Sequence, residues 1–396
     1  MITVVLAIIA LPLVLRALWD IVLSFWAWRV APPAPDAADQ QRFLVVVPAH
    51  NESSVIAAVV GDVLAQNYPR DRFDVWVIAD RCDDDTAQRA EGAGARVAVR
   101  DEEPYGKGAA IAWFLTGRPL ADDEALVVLD ADNRIDAGLL ARFSNELAAG
   151  HDALQAYLGV TNPTESPITL ASSLMYWSSS RLIQLARTNV GWSCHIGGTG
   201  VCISAEALAR TRGYGVSQTE DRDLELQLVE QGIKVRWLHD LKLRDEKPAD
   251  IDTLARQRAR WAAGKRANRR DHTARLWAAA RGGSWTALDR LIELVMPSRQ
   301  VSVALLGLLG VVGFAFGASG WFVSVALGTT IVTVGLVLAA LAAEKVSLKH
   351  IMLTPLLMVF VVIWIPVQVL SRRQTGWFST PHHGEEQDAG STQDIN

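Results

Sequence analysis

Val127-Val128-Leu129-Asp130-Ala131-Asp132 is an apolar run that ends in two acidic residues one position apart. With Ala125 and Leu126 before it, the run reads as a strand buried on both faces, the pattern of a parallel sheet, with both acids at its C-terminal edge. Side chains at i and i+2 of an extended chain share a face, so the Asp130 and Asp132 carboxylates can address one divalent cation. Mg2+ or Mn2+ held by one or two carboxylates, its shell completed by phosphate oxygens, is the usual way in which proteins hold such an ion on a nucleotide. The plainer alternative is an Asp-Ala-Asp-Asn turn that closes the strand.

The same pattern recurs upstream. Phe43–Val47 leads into Pro48-Ala49-His50-Asn51-Glu52, Val75–Ala79 leads into Asp80, and Ala95–Val99 reads as a further strand. Helical stretches through Leu64, over Asp85–Gly92 and over Gly108–Leu115 lie between them. Strands alternating with helices imply right-handed crossovers and an α/β fold with a mostly parallel, Rossmann-like sheet. Ligands of such sheets bind at the carboxyl ends of the strands, where Glu52, Asp80, Asp130 and Asp132 all fall. Asp84 or Asp85 has a simpler role as a helix cap. From about Asp152 the pattern loosens. Thr169–Arg187, Asp221–Gln231 and the basic, amphipathic Ile251–Arg270 read as helices, and His195–Gly200 as a glycine-rich loop.

Half of the 396 residues are hydrophobic, and the excess sits at the ends. Residues 1–30 read as a membrane anchor whose apolar stretch runs to residue 27, broken by Arg16 and Asp20, which stand four apart and either pair inside a bundle or mark drift toward the interface. Val301–Phe316, Trp321–Ala343 and Ile351–Leu370 have the character of membrane segments, so 299–371 is expected to hold about three. Pro355 and Pro366 make the last of them a candidate broken or re-entrant segment. Residues 41–284 form the expected water-soluble domain, joined to the anchor by the stiff Ala31-Pro32-Pro33-Ala34-Pro35. Trp285–Met296 suits the membrane interface, within a predicted interfacial helix 285–298, and 379–396 is polar and expected to be disordered. Arg29 after the anchor, with no charge before it, places residue 30 onward in the cytoplasm, as for a multi-pass protein of a bacterial inner membrane. A formal net charge of −5 with no dominant basic stripe argues against nucleic acid as partner. The three cysteines, Cys82, Cys194 and Cys202, have no metal-ligand spacing and read as free thiols.

Taken in order, Pro-x-x-Asn-Glu, Ala-Asp, Gly-Lys-Gly, Asp-x-Asp, Gly-Gly-Thr-Gly, Thr-Glu-Asp and Gln-x-x-Arg-Trp resemble the motifs of membrane-integrated family-2 glycosyltransferases of GT-A fold, which include cellulose, chitin, hyaluronan and poly-N-acetylglucosamine synthases. The resemblance covers about 44–265, with a short further piece at Trp377–His382. It implies a nucleotide-sugar site made by Glu52, Asp80, Lys107, Asp130 and Arg260, with Asp132 as the direct ligand of Mg2+ or Mn2+. It implies an acceptor site at Gly198, Thr199, Glu220, Gln257, Arg258 and Trp261. Asp221 becomes the base that deprotonates the acceptor hydroxyl, and one base opposite the leaving diphosphate implies inversion at the anomeric carbon. Each has a structural alternative: a turn for Gly106-Lys107-Gly108, a capping role for Thr219, a headgroup-facing cationic helix for Arg256, Lys265, Arg266, Arg269 and Arg270.

The implied activity is transfer from a UDP-sugar to a growing polysaccharide or a membrane lipid. Single addition to a ceramide-like lipid is the rival among enzymes. A transport subunit is disfavoured by the few charges within the apolar segments, and a silent scaffold by the presence of Asp130, Asp132, Asp221 and Arg260. Polymer synthases of this kind usually carry more membrane segments, so a second protomer or an export partner is the corresponding expectation.

Overall fold

The computed structural model describes residues 2–355 apart from 39 and 216. The chain opens with α1 (Ile2–Ser24) and crosses the proline-rich segment into β1 (Arg42–Ala49), α2 (Ile56–Leu64), β2 (Phe73–Asp80), α3 (Thr86–Gly92), β3 (Arg96–Arg100), α4 (Lys107–Gly117) and β4 (Glu124–Val128). β1 pairs in parallel with β2 and β4, and β2 with β3, which gives the doubly wound half that the apolar runs predict. Val45, Val47, Val75, Val77 and Val127 pack on one face against α2; Leu44, Val46, Ile78, Leu126 and Val128 pack on the other against Ile111 and Phe114 of α4. Layers on both faces explain runs that do not alternate in polarity. Each such side chain, fully buried, contributes roughly 1.5–3 kcal/mol.

Beyond β5 (Arg134–Ile135) and α5 (Leu139–Ala148), the region that reads as loosened continues the same sheet. It holds β6 (Ala153–Val160), α6 (Pro167–Ser179), a π-helical turn at Ser180–Leu185, α7 (Ala186–Asn189), β7 (Val201–Ser204), α8 (Ala205–Ala209), α9 (Glu220–Glu230) and β8 (Val235–Asp245). The strand order is β3-β2-β1-β4-β7-β6-β8-β5, with β7 antiparallel to both β4 and β6. The expected helix over Thr169–Arg187 is thus an α–π–α succession.

α10 (Ile251–Arg281) runs eleven residues past its expected end. α11 (Trp285–Val295), α12 (Arg299–Ala315), α13 (Gly320–Ala343) and the short α14 (Leu348–Ile351) follow. α1 and α13 are long and apolar enough to cross a membrane, and α11 with α12, bent by 61°, qualifies as one broken span. The remainder of the run Ile351–Leu370, the segment Trp377–His382 and the tail 379–396 lie outside the described residues. α1, α12 and α13 pack together through Leu6, Ala10, Leu13, Leu306, Phe322 and Ala326. Thr3 Oγ1 meets Ser319 at the end of this bundle remote from the sheet.

At the near end the bundle is joined to the sheet domain by buried ions. Arg16 binds Asp20 within α1 (3.0 Å), so the intrahelical pair forms. Arg187 binds Asp289 (2.7 Å), Arg290 binds Asp289 and Glu293 (2.8 Å each), and Arg222 binds Glu225 (2.5 Å). His195 sits between Glu225 and Glu293. Lys265 and Arg299 complete the junction, which among the described residues sets six Lys and Arg cations against four carboxylates. Trp19, Trp192 and Trp285 stack beside it, with centroids 5.6–6.4 Å apart.

Candidate active site

The carboxyl ends of β1, β2, β4 and β8 and the N-terminal turns of α9 and α10 surround one cleft of about 340 Å³. Of the residues expected to bind, Glu52, Asp80, Lys107, Asp130, Asp132, Gly198, Glu220, Asp221, Gln257, Arg260 and Trp261 line it together. Thr199 and Arg258 stand behind its wall. The Thr199 hydroxyl accepts from the Asp130 backbone N–H (2.9 Å) and donates to Asn133, so it fixes the acidic turn from beneath. Arg258 is buried over the Trp261 ring, 4.5 Å from its centroid, and backs that indole.

Asp80 is held by Arg100 (2.7 Å) and Arg81 (3.0 Å). Asp84, not Asp85, caps α3, accepting from the Thr86 backbone N–H (3.0 Å). The Lys107 ammonium binds the Asp130 carboxylate and the Gly198 carbonyl (2.9 Å), tying the acidic turn to the glycine loop. Burial opposes that charge, but Asp130, Glu220 and Asp221 outweigh it and hold the lysine above its usual value. Gly106-Lys107-Gly108 is therefore not a mere turn. A Cβ on Gly108 would come within 2.3 Å of the Gly215 carbonyl and 2.5 Å of Glu220 Cβ, so the glycine sets how closely α4 approaches α9. Gly198 has φ +85°, and a Cβ there would reach 3.5 Å from Asp221 Oδ2, so this loop leaves Asp221 open to a ligand.

Asp221 lies in the first turn of α9, accepting from the Arg222 backbone N–H (2.8 Å). Burial pushes its carboxyl up; burial and then the Asp221 charge push Glu220 up to about 7. Thr219 occupies the N-cap position without a side-chain capping bond, because its hydroxyl accepts instead from Asn268 of α10 (3.3 Å).

Motif reading passed over Tyr176, Asp245, Glu246, Lys247 and Thr253, which also line the cleft. Lys247 binds Asp245 (2.6 Å) and lies 4.0 Å over the Tyr176 ring. The available signal is the run of three charges Asp245-Glu246-Lys247 after a strand that alternates apolar and charged residues, unlike the unbroken apolar runs before Asp80 and Asp130. Among the described residues, nine carboxylates and three Lys and Arg side chains line the cleft. Among the described residues no three His, Cys, Asp or Glu side chains converge on a self-sufficient metal cage. Hard oxygen donors at Asp130 and Asp132, and a buried Asp245 Oδ1 with no hydrogen-bond partner, fit a divalent cation that takes its other ligands from an anionic substrate.

Residues 40–264 match the family described as Glycosyltransferase like family 2. Curated relatives include the beta-monoglucosyldiacylglycerol synthase of Trichormus variabilis, 25% identical over 239 residues (56% of this chain, 48% of the relative). Another is probable glucomannan 4-beta-mannosyltransferase 9 of Oryza sativa subsp. japonica, 26% identical over 250 residues (58% and 47%). The chain spans about half the length of these relatives. Among solved structures, a mannosyltransferase of Pyrobaculum calidifontis in complex with GDP-Man and Mn2+ matches 94% of this chain and 99% of its own, with TM-score 0.60 and 18% identity. That likeness is one of fold.

Proposed function

This chain belongs to glycosyltransferase family 2, and from that premise we propose that it transfers a sugar from a nucleotide diphosphate-sugar, UDP-linked in our reading, to a hydroxyl of a membrane lipid or growing glycan, with inversion. The observation that carries the reading is the convergence of Asp130, Asp132, Lys107 and Asp221 on one cleft at the strand ends. The diphosphate is assigned to the acidic end of β4, with Lys107 and Arg260 as cations on either side. Asp132, with Asp130 beside it, would hold the divalent ion. Bound there, that ion supplies charge neutralisation to the departing diphosphate. Glu52 and Asp80 suit the acceptance of N–H and O–H donors from base and ribose. Asp221 takes the proton of the acceptor hydroxyl as its oxygen bonds to the anomeric carbon and the bond to the diphosphate breaks. Trp261, backed by Arg258, offers a stacking face for an acceptor sugar, and Gln257 a hydrogen-bonding amide.

The relatives' names divide between glucosyl and mannosyl transfer. The acceptor is read as either a growing glycan or a membrane lipid. We further read 1–30 and 299–371 as membrane-integrated and 41–284 as a catalytic domain on the cytoplasmic face of a bacterial inner membrane.

The test is nucleoside diphosphate release by the solubilised full chain with UDP-glucose, UDP-N-acetylglucosamine and GDP-mannose, each with Mg2+ or Mn2+ and with EDTA. Release with one donor is expected, lost in EDTA and reduced at least about 100-fold in Asp221→Asn. Equal release by Asp221→Asn would remove the assignment of the base. Product sizing separates one glycolipid from a ladder.

A further inference from the structure

We infer that the junction between α1, α10 and α12 binds a phosphate group, as carried by an anionic membrane lipid. The inference rests on reading α1, α12 and α13 as membrane spans. Its basis is unbalanced buried charge. Arg16 is 4% exposed, and after its bonds to Asp20 and Glu293 its Nη1 is buried with no partner. Arg299 is 7% exposed and makes no hydrogen bond or ion pair among the described residues. Lys265 spends its ammonium on the Met296 carbonyl (2.7 Å) and forms no ion pair among the described residues, with the Glu293 charge acting on it from farther away. The carboxylates nearby are already taken: Asp20 by Arg16, Asp289 by Arg187, and Glu293 by Arg290.

A buried guanidinium without a bonded counter-charge is strongly unfavourable, so its retention calls for an anion beyond the carboxylates of the described residues. The N-terminus of α12 adds its positive end, because Ser298 stands at the N-cap without a side-chain cap. Planar guanidinium groups suit phosphate oxygens in pairs. The Trp19, Trp192 and Trp285 stack marks the depth: such aromatic groups lie at the headgroup level, where lipid phosphates are. Lys265 and Trp261 are four residues apart on α10, so the site lies about one helical turn from the cleft. A lipid fixed there would present its headgroup toward Trp261.

The experiment uses the full chain, delipidated in a mild detergent, and reads its melting temperature, which needs no transfer activity. Phosphatidylglycerol, phosphatidylcholine and inorganic phosphate are added separately to the parent, Arg299→Gln, Arg299→Lys and Lys265→Gln proteins. Expected is a rise of about 3 °C with phosphatidylglycerol over phosphatidylcholine, lost in Arg299→Gln and partly kept in Arg299→Lys. The same rise with inorganic phosphate alone would support the phosphate site with the free ion as its source. Arg299→Gln removes an unpaired buried charge and is expected to fold; Lys265→Gln carries the comparison otherwise. An equal response to all three additives, or an undiminished rise in the Gln variants, overturns the inference. Alkaline extraction of membranes reads the spanning assignment separately.

Discussion

At the scale of single residues, the cleft's chemistry turns on the pair Glu220 and Asp221. Two carboxyls share the first turn of α9, where the helix dipole favours them but burial and their mutual repulsion do not. Glu220 is pushed up to about 7, with burial and then the Asp221 charge among the causes, so below that pH the pair keeps a proton and is fully ionised only as pH rises through that value. A carboxyl raised in the folded state also costs stability as pH rises from its ordinary range through the raised value. The expected result is nucleoside diphosphate release with an acidic limb near pH 7. Glu220→Gln removes the neighbouring charge and is expected to lower that limb by about one pH unit. A limb that stays in place in this variant would show that a different group sets it. The sequence alone places Asp221 and Glu220 here because Thr-Glu-Asp opens a helix. It gives no sign of the buried pairing that shifts them, which depends on Lys107, Gly198 and Arg260 arriving from distant parts of the chain.

Among elements, the parallel half of the sheet is legible because burial on both faces leaves unbroken apolar runs, two of which end directly in an acidic residue, Asp80 and Asp130. The second half is not. β7 is four residues long and β5 two, and the register of β6 on β8 shifts between Ala156 and Tyr157, so their periods are short or broken. Asp245 and Lys247 went unseen with β8. α10 outran its expected end because His272 is clamped between Asp223 and Glu230 of α9, at 2.7 and 2.6 Å, a tertiary contact that local pattern does not contain. At Gly264 α10 comes close to the N-cap of α9: a Cβ there would lie 2.3 Å from Thr219 Oγ1 and 2.5 Å from its Cγ2. Gly264→Ala is therefore expected to push α10 from the Thr-Glu-Asp segment. The cost is about 1–3 kcal/mol, as for overpacking, with loss of transfer at temperatures where the protein stays folded. Adding Thr219→Ser, which deletes the clashing methyl, should recover part of the stability. A Gly264→Ala protein with unchanged melting and turnover would mean that the helices separate without consequence.

For the whole molecule, the question is what makes the apolar bundle and the sheet domain one body. Besides the junction at α1 and α11, a second lock closes at the sheet-proximal end of α13. Arg181, in the π-helical turn, binds Glu344 (2.7 Å) and the Ala27 carbonyl (3.1 Å). His239 of β8 reaches the same carboxylate at 3.0 Å, and the Tyr157 hydroxyl donates to it at 3.2 Å. Both partners of the ion pair are under a tenth exposed, so the pair is worth little against an apolar replacement but is costly to break from one side. The wider turn aims Arg181 at both α13 and the end of α1; such π-turns are often found at functional sites. Glu344→Gln strands the guanidinium and is expected to destabilise the junction by about 3–5 kcal/mol. Arg181→Met with Glu344→Leu replaces both charges and should restore much of that loss. Because such proteins unfold irreversibly, the readout is the half-life of monodisperse, solubilised protein at a fixed temperature. If the single and double variants decay at the parent's rate, Arg181 and Glu344 do not couple the two parts, and the ions around Asp289 alone bear the join.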